Sequence, residues 1–165
     1  MGGIGTTLEV ASFRPTGDPM TTFDSYSYPP AGVLIGSDFD GWSDELNREF
    51  AANSHNGNVG GRLLSESDRV RVWEIRLNPG ERVAAHRHVL DYFWTAIEPG
   101  TSIQHTSDGT TRQVTYEPGE TRHYRFGEGE YLLHDLENIG DTALVFATVE
   151  FVSSANKPLP LGPLP

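Results

Sequence analysis

A chain of 165 residues is the size of one ordinary domain and can bury a core without covalent staples. It has no cysteine, which excludes disulfides, thiolate metal sites, iron–sulfur clusters and cysteine nucleophiles, so any metal must be held by nitrogen and oxygen. The formal net charge of −11 argues against nucleic acid and against an anionic membrane surface, leaving a small molecule or a second copy of the chain as the expected partner.

From Met1 to about Gly41 the sequence is rich in Gly, Pro, Ser, Thr and aromatic residues, with Tyr26-Ser27-Tyr28-Pro29-Pro30 at its middle. Such a composition offers little periodic structure and predicts an arm lying on the body of the protein or on a neighbouring subunit. Ser43-Asp44-Glu45 then supplies an N-cap and first-turn carboxylates, and Leu46 and Phe50 fall one helical turn apart, which predicts a short helix over residues 43–52. The Asn- and Gly-rich stretch 53–61 ends it.

From Arg62 onward the pattern is one of strands divided by turn signals. Arg69 to Leu77 is β-branched and aromatic and stops at Asn78-Pro79-Gly80; Arg82 to about Ile97 reads as the next strand and stops at Glu98-Pro99-Gly100. Asp108-Gly109 predicts a hairpin between residues 102–106 and 110–116, and strands over 121–126, 131–138 and 142–152 complete the set. Short strands at this spacing, with no helical pattern between them, predict an antiparallel sandwich or barrel. The proline-rich end from Lys157 to Pro165 cannot form a central strand. The expected organisation is an N-terminal arm with its helix (1–61), a β-barrel (62–152) and a tail (153–165). Neither a run of roughly 18 apolar residues nor a secretory leader pattern is found, so the cytoplasm is the expected location.

The chemistry-bearing residues are histidines. His86 and His88 are two apart in a strand-like run and so point the same way, and His134 shares a face with Leu132 and Leu136 in another such run. Three neutral imidazoles converging inside a barrel can hold a divalent first-row metal and leave positions open for substrate. Strict alternation places His86, His88, Leu90, Tyr92 and Trp94 on one face and Asp91 on the other, so Asp91 is a fourth ligand only if a bulge follows His88. Tyr92 then points into the site, as aromatic core or as a catalytic phenol able to donate or accept a proton. His123 is expected to face solvent, and His105 and His55 to be solvated. Arg122 and Arg125 have the fork geometry that grips a carboxylate, but surface pairing is the expectation for both. No phosphate-cradling loop, dinucleotide fingerprint or serine-hydrolase elbow is present.

Gly80-x5-His86-x-His88 and His134-x3-Asn138 resemble the two signature motifs of the cupin superfamily, and the stretch from Asp68 to Tyr92 is similar to the small single-domain cupins labelled β-alanine degradation proteins. The resemblance spans about residues 62–152 and implies an all-β jelly-roll barrel with a short N-terminal helix and extended terminal arms. It implies His86, His88 and His134 as ligands of a divalent transition metal (iron, zinc, nickel or manganese), with Tyr92 and Phe93 standing where the family usually has a glutamate. By this resemblance the chain is expected to be a metal-dependent enzyme acting on a small organic acid, diketone or phenol. Iron would suggest dioxygenase chemistry; the other metals would suggest isomerase, lyase or hydrolase chemistry. A non-catalytic small-molecule-binding cupin is the alternative, and a homodimer is the expected assembly.

Overall fold

The computed structural model describes residues 31–164, and the part of the expected arm over residues 1–30, with its Tyr-Pro-rich centre, lies outside the described residues. The chain runs β1 (Val33–Gly36), α1 (Asp44–Ala52), β2 (Arg62–Glu66), β3 (Val70–Leu77), β4 (Arg82–His88), β5 (Tyr92–Glu98), β6 (Gly100–Thr106), β7 (Thr110–Tyr116), β8 (Thr121–Tyr124), β9 (Leu132–Asn138) and β10 (Leu144–Phe151). Two five-stranded antiparallel sheets result, one ordered β1-β7-β6-β9-β4 and the other β2-β3-β10-β5-β8. Removing β1 and β2 leaves eight strands wound between the sheets as β4-β9-β6-β7 and β3-β10-β5-β8, which is jelly-roll wrapping. The sheets face one another without closing into a continuous barrel.

Alternation explains the core. Trp73, Ile75 and Leu77 of β3, Ala96 of β5, Val114 and Tyr116 of β7, Leu136 of β9 and Leu144 and Phe146 of β10 are all buried between the layers. The Asp108-Gly109 hairpin forms as the sequence predicts: Gly109 takes φ +84° and its N–H donates to the Thr106 carbonyl. A Cβ at Gly109 would also fall 2.9 Å from the Phe39 ring, so glycine is required there twice over. Helix α1 is capped as expected, the Ser43 hydroxyl accepting from the Leu46 N–H at 3.1 Å.

Two expectations differ from the structure. The run from Arg82 to Ile97 is not one strand: it breaks at Val89-Leu90-Asp91, with β4 in one sheet and β5 in the other. Val89 and Leu90 are buried, so the crossing between layers carries none of the Gly/Pro punctuation that marks the surface turns. Val33–Gly36, within the segment read as an arm, pairs with β7 as a fifth strand. The tail forms no regular element through residue 164, yet it is tied down by Arg71 Nη1 donating to the Leu159 carbonyl and by Asn58 bonding Gly162 and Pro163.

Helix α1 lies over the outer face of β4 and β9, where Phe50 packs on Ala85 and Leu133. Below it runs a charged network. Glu49 accepts from both terminal nitrogens of Arg82 (2.9 and 2.7 Å) and from the Ala85 N–H at 2.8 Å, and these contacts, the Arg82 hydrogen bond first, hold its carboxyl below the usual range. Arg82 Nε donates to the fully buried Asp135 at 2.7 Å. His105, expected in solvent, instead bonds Asp135 through its backbone N–H at 2.6 Å and its Nδ1 at 2.9 Å. The network ties α1, β4, β6 and β9 into one frame behind the histidines.

Candidate metal centre

His86 and His88 project from the inner face of β4, and His134 from its neighbour β9, where it stands directly opposite His86 in the antiparallel register. The register shifts between Val83 and His86, so the irregularity precedes the histidines and leaves their alternation intact. The rings lie 4.6 Å (His86 to His134), 5.1 Å (His86 to His88) and 5.2 Å (His88 to His134) apart, and one ring nitrogen from each falls within 4.8 Å of the others. All three side chains are buried.

Hydrogen bonds set which nitrogens are available. His86 Nδ1 is 2.9 Å from the Ala84 carbonyl, an acceptor, so Nδ1 carries the proton and Nε2 presents its lone pair. His134 Nδ1 donates to Gln104 Oε1 at 3.2 Å, with the same consequence. His86 Nε2, His88 Nδ1 and His134 Nε2 are buried without a hydrogen-bond partner. Burial lowers the pKa of His86, and burial together with the neighbouring imidazoles holds His88 and His134 well below the ordinary value. The group is therefore neutral at physiological pH, the state that ligation requires. Buried ring nitrogens without a partner on three convergent imidazoles are costly unless a cation meets their lone pairs, and a nitrogen-only donor set fits a first-row divalent metal.

The chamber beside the histidines has a volume of about 40 Å³ and is walled by Tyr92, Trp94, Tyr116, Tyr124, Phe146 and Gln104; among the described residues no acidic or basic side chain lines it apart from the histidines. Tyr92 is buried, stacks on His88 (4.0 Å between centroids, 14° between planes) and is itself stacked by Tyr124 at 4.6 Å. Asp91 does not join the histidine group. Its Oδ1 accepts from the Phe126 N–H at 2.9 Å and its Oδ2 lies 3.8 Å from Arg125 Nε, which fastens the end of β8 to the β4–β5 crossing. Asn138 closes the turn before β10, donating to the Leu77 and Thr142 carbonyls at 2.8 Å each, and makes no contact with the chamber.

Sequence reasoning overlooks Gln104, Tyr116 and Ser102. Gln104 holds His134 through its oxygen and donates through its nitrogen to the Tyr116 hydroxyl, which shares a 3.0 Å hydrogen bond with Ser102. Burial pushes the Tyr116 phenol up, so it stays protonated and can anchor the chain of bonds. The period-two positions of β6 and β7 carry these residues inward, but nothing in their identities marks them as partners of a histidine.

The wrapping of the strands and the chamber it encloses define the class: a two-sheet antiparallel jelly roll with three buried histidines suited to a divalent metal. No family model and no curated protein matches the chain. Among solved structures it is similar to a cupin domain from Bordetella pertussis Tohama I, at 20% identity over 74% of this chain and 97% of that one, with a TM-score of 0.48. It is also similar to an RmlC-like cupin family protein from Methanocaldococcus jannaschii (20% identity, 55% of this chain, 76% of that one, TM-score 0.45). A third is a sugar phosphate isomerase of the cupin superfamily from Silicibacter pomeroyi (19% identity, 50% of each chain, TM-score 0.39). None of these three structures is described as a β-alanine degradation protein, so they do not confirm the narrower resemblance.

Proposed function

We propose that the protein is a metal-dependent enzyme that binds a divalent transition metal through His86, His88 and His134 and turns over a small diketone, phenol or organic acid. The observation that carries the reading is the meeting of three neutral, buried imidazoles, one ring nitrogen of each within 4.8 Å of the others, at an aromatic chamber. A bound metal there supplies Lewis acidity toward a chelating oxygen pair and, if it is iron, a site for dioxygen chemistry. The chain's own contribution is to orient. Ala84 and Gln104 fix the His86 and His134 tautomers, and the aromatic walls keep bulk water out. A flat oxygen-bearing end group fits this lining better than a carboxylate alone, because among the described residues the wall offers no lysine or arginine to meet an anion.

Tyr92 is the candidate proton donor or acceptor: it lines the chamber and stacks on His88. Non-catalytic binding is the second reading, favoured by the lack of any carboxylate or lysine among the described residues that wall the chamber. Elemental analysis of the purified protein, followed by oxygen uptake and product analysis on a panel of diketones, phenols and acids, separates the two. His86→Ala and His88→Ala are each expected to lose most of the metal while keeping the far-ultraviolet signature of a β protein; full metal content in both would overturn the assignment. Metal occupancy of the wild type is expected to persist below pH 6.5, because burial keeps the histidines neutral there, and to fall on further acidification.

A further inference from the structure

The chamber at the histidines is too small for a whole substrate. At about 40 Å³ it admits little beyond the reacting end of a molecule, whereas sites for small organic ligands are on the order of 300–1,000 Å³. A second concavity of about 590 Å³ adjoins it, lined by Asp91, His123, Arg125, Phe151 and Ser153. Tyr92 and Tyr124 line both spaces, so the stacked tyrosine pair is the wall they share. Tyr124 ends β8, the outermost strand of its sheet, which pairs only with β5 among the described residues.

The chemistry of this groove is unlike that of the chamber. Arg125 is 66% exposed at its side chain, and its contact with Asp91 is a loose 3.8 Å. Arg122, by contrast, is drawn to Glu120 at 3.1 Å, and Arg87 lies over the Tyr131 ring at 3.7 Å. Asp91 Oδ1 accepts from the Phe126 N–H at 2.9 Å, and its Oδ2 stands 3.8 Å from Arg125 Nε, beyond hydrogen-bond reach, so Arg125, which lines the groove, is not locked in a tight internal pair. His123 and Ser153 add hydrogen-bonding groups, and Phe151 and Tyr124 add apolar faces. On a chain of net charge −11, an arginine with spare donors beside aromatic surface selects a carboxylate carried on an aromatic or apolar body.

We infer that this groove is the carboxylate-binding subsite of the protein, holding the acid end of a substrate whose other end passes the Tyr92–Tyr124 wall toward the histidines. The second half of that statement rests on the metal reading above; the first half does not. The test uses benzoate as probe and benzamide as its neutral counterpart, titrated by NMR into protein stripped of metal and into protein reloaded with zinc. Saturable shifts of the Arg125 Nε–H and His123 ring signals are expected with benzoate in both forms. Binding should weaken about tenfold or more for benzamide and for Arg125→Gln, the scale of a lost charge-assisted hydrogen bond, with zinc content unchanged by the substitution. Benzoate that leaves these signals unmoved, that binds no better than benzamide, or that binds Arg125→Gln as it binds wild type overturns the subsite. Benzoate bound only to the zinc form and insensitive to Arg125→Gln also overturns it while upholding the metal centre. Arg125-dependent binding in a protein that takes up no zinc upholds the groove and sinks the metal reading.

Discussion

Glu150 shows what burial does to a single acid. It lies on the inner face of β10, opposite Tyr92 in the register with β5, and accepts a 2.9 Å hydrogen bond from the Trp73 indole N–H. That bond favours the carboxylate, but desolvation outweighs it and pushes the Glu150 pKa up to about 7. An acid whose folded pKa exceeds its unfolded value of 4.5 binds more protons in the folded state, so its stabilising contribution is complete below 4.5 and is lost as pH rises through about 7. The loss is on the order of 3 kcal/mol. The buried histidines have the opposite sign, since their depressed pKa values make metal-free stability decline as pH falls below 6.5. Glu150→Gln separates the two: chemical denaturation at pH 5 and pH 8 is expected to show the variant gaining on wild type at pH 8, and equal stability differences at both values would refute the assignment.

At the scale of elements, what could be read in advance was whatever turns and alternation write into the chain. Asn78-Pro79-Gly80 and Glu98-Pro99-Gly100 each end a strand, and the two-residue spacing of His86 and His88 does put both on one face. Tyr92 faces the chamber as alternation predicts, although the continuous strand assumed in that argument is broken at Val89-Leu90-Asp91. A buried crossing between layers needs apolar residues, so it imitates the strand it interrupts. The frame behind the site was illegible for a different reason. Glu49 and Arg82 are 33 positions apart and Arg82 and Asp135 are 53, and local patterns hold no record of such partners. Gln104 likewise reads as an ordinary strand glutamine until β6 is laid beside β9. Because its oxygen fixes the His134 tautomer, Gln104→Ala is expected to weaken zinc affinity about 10- to 100-fold without loss of fold. Gln104→Glu, which keeps an acceptor at that place, should recover much of the loss; competition against a chromogenic chelator measures both, and unchanged affinity in Gln104→Ala would remove Gln104 from the metal's support.

The whole molecule ends in strand edges, and they are unequal. Among the described residues β1 has a single ladder partner, β7, and its consecutive Val33, Leu34 and Ile35 are 68%, 49% and 53% exposed. Edge strands of soluble proteins are usually blunted by charge, proline or a bulge, and β1 has its register shift between Leu34 and Gly36 but no charged residue. Three apolar side chains on an open edge are a liability in a free monomer, and the net charge of −11 alone does not shield a local apolar strip. A second copy of the chain meeting this edge would cover both the apolar surface and the backbone groups that have no ladder partner among the described residues, and two-fold pairing is the commonest way for identical edges to satisfy one another. The expected state is therefore a homodimer. Light scattering at micromolar concentration should give twice the chain mass, and Leu34→Glu with Ile35→Lys should halve it, since both substitutions put charge on the exposed strip while the inward-facing core of β3–β10 is untouched. A wild-type protein that runs as a monomer, or a dimer indifferent to the double substitution, would show that β1 is covered in some other way.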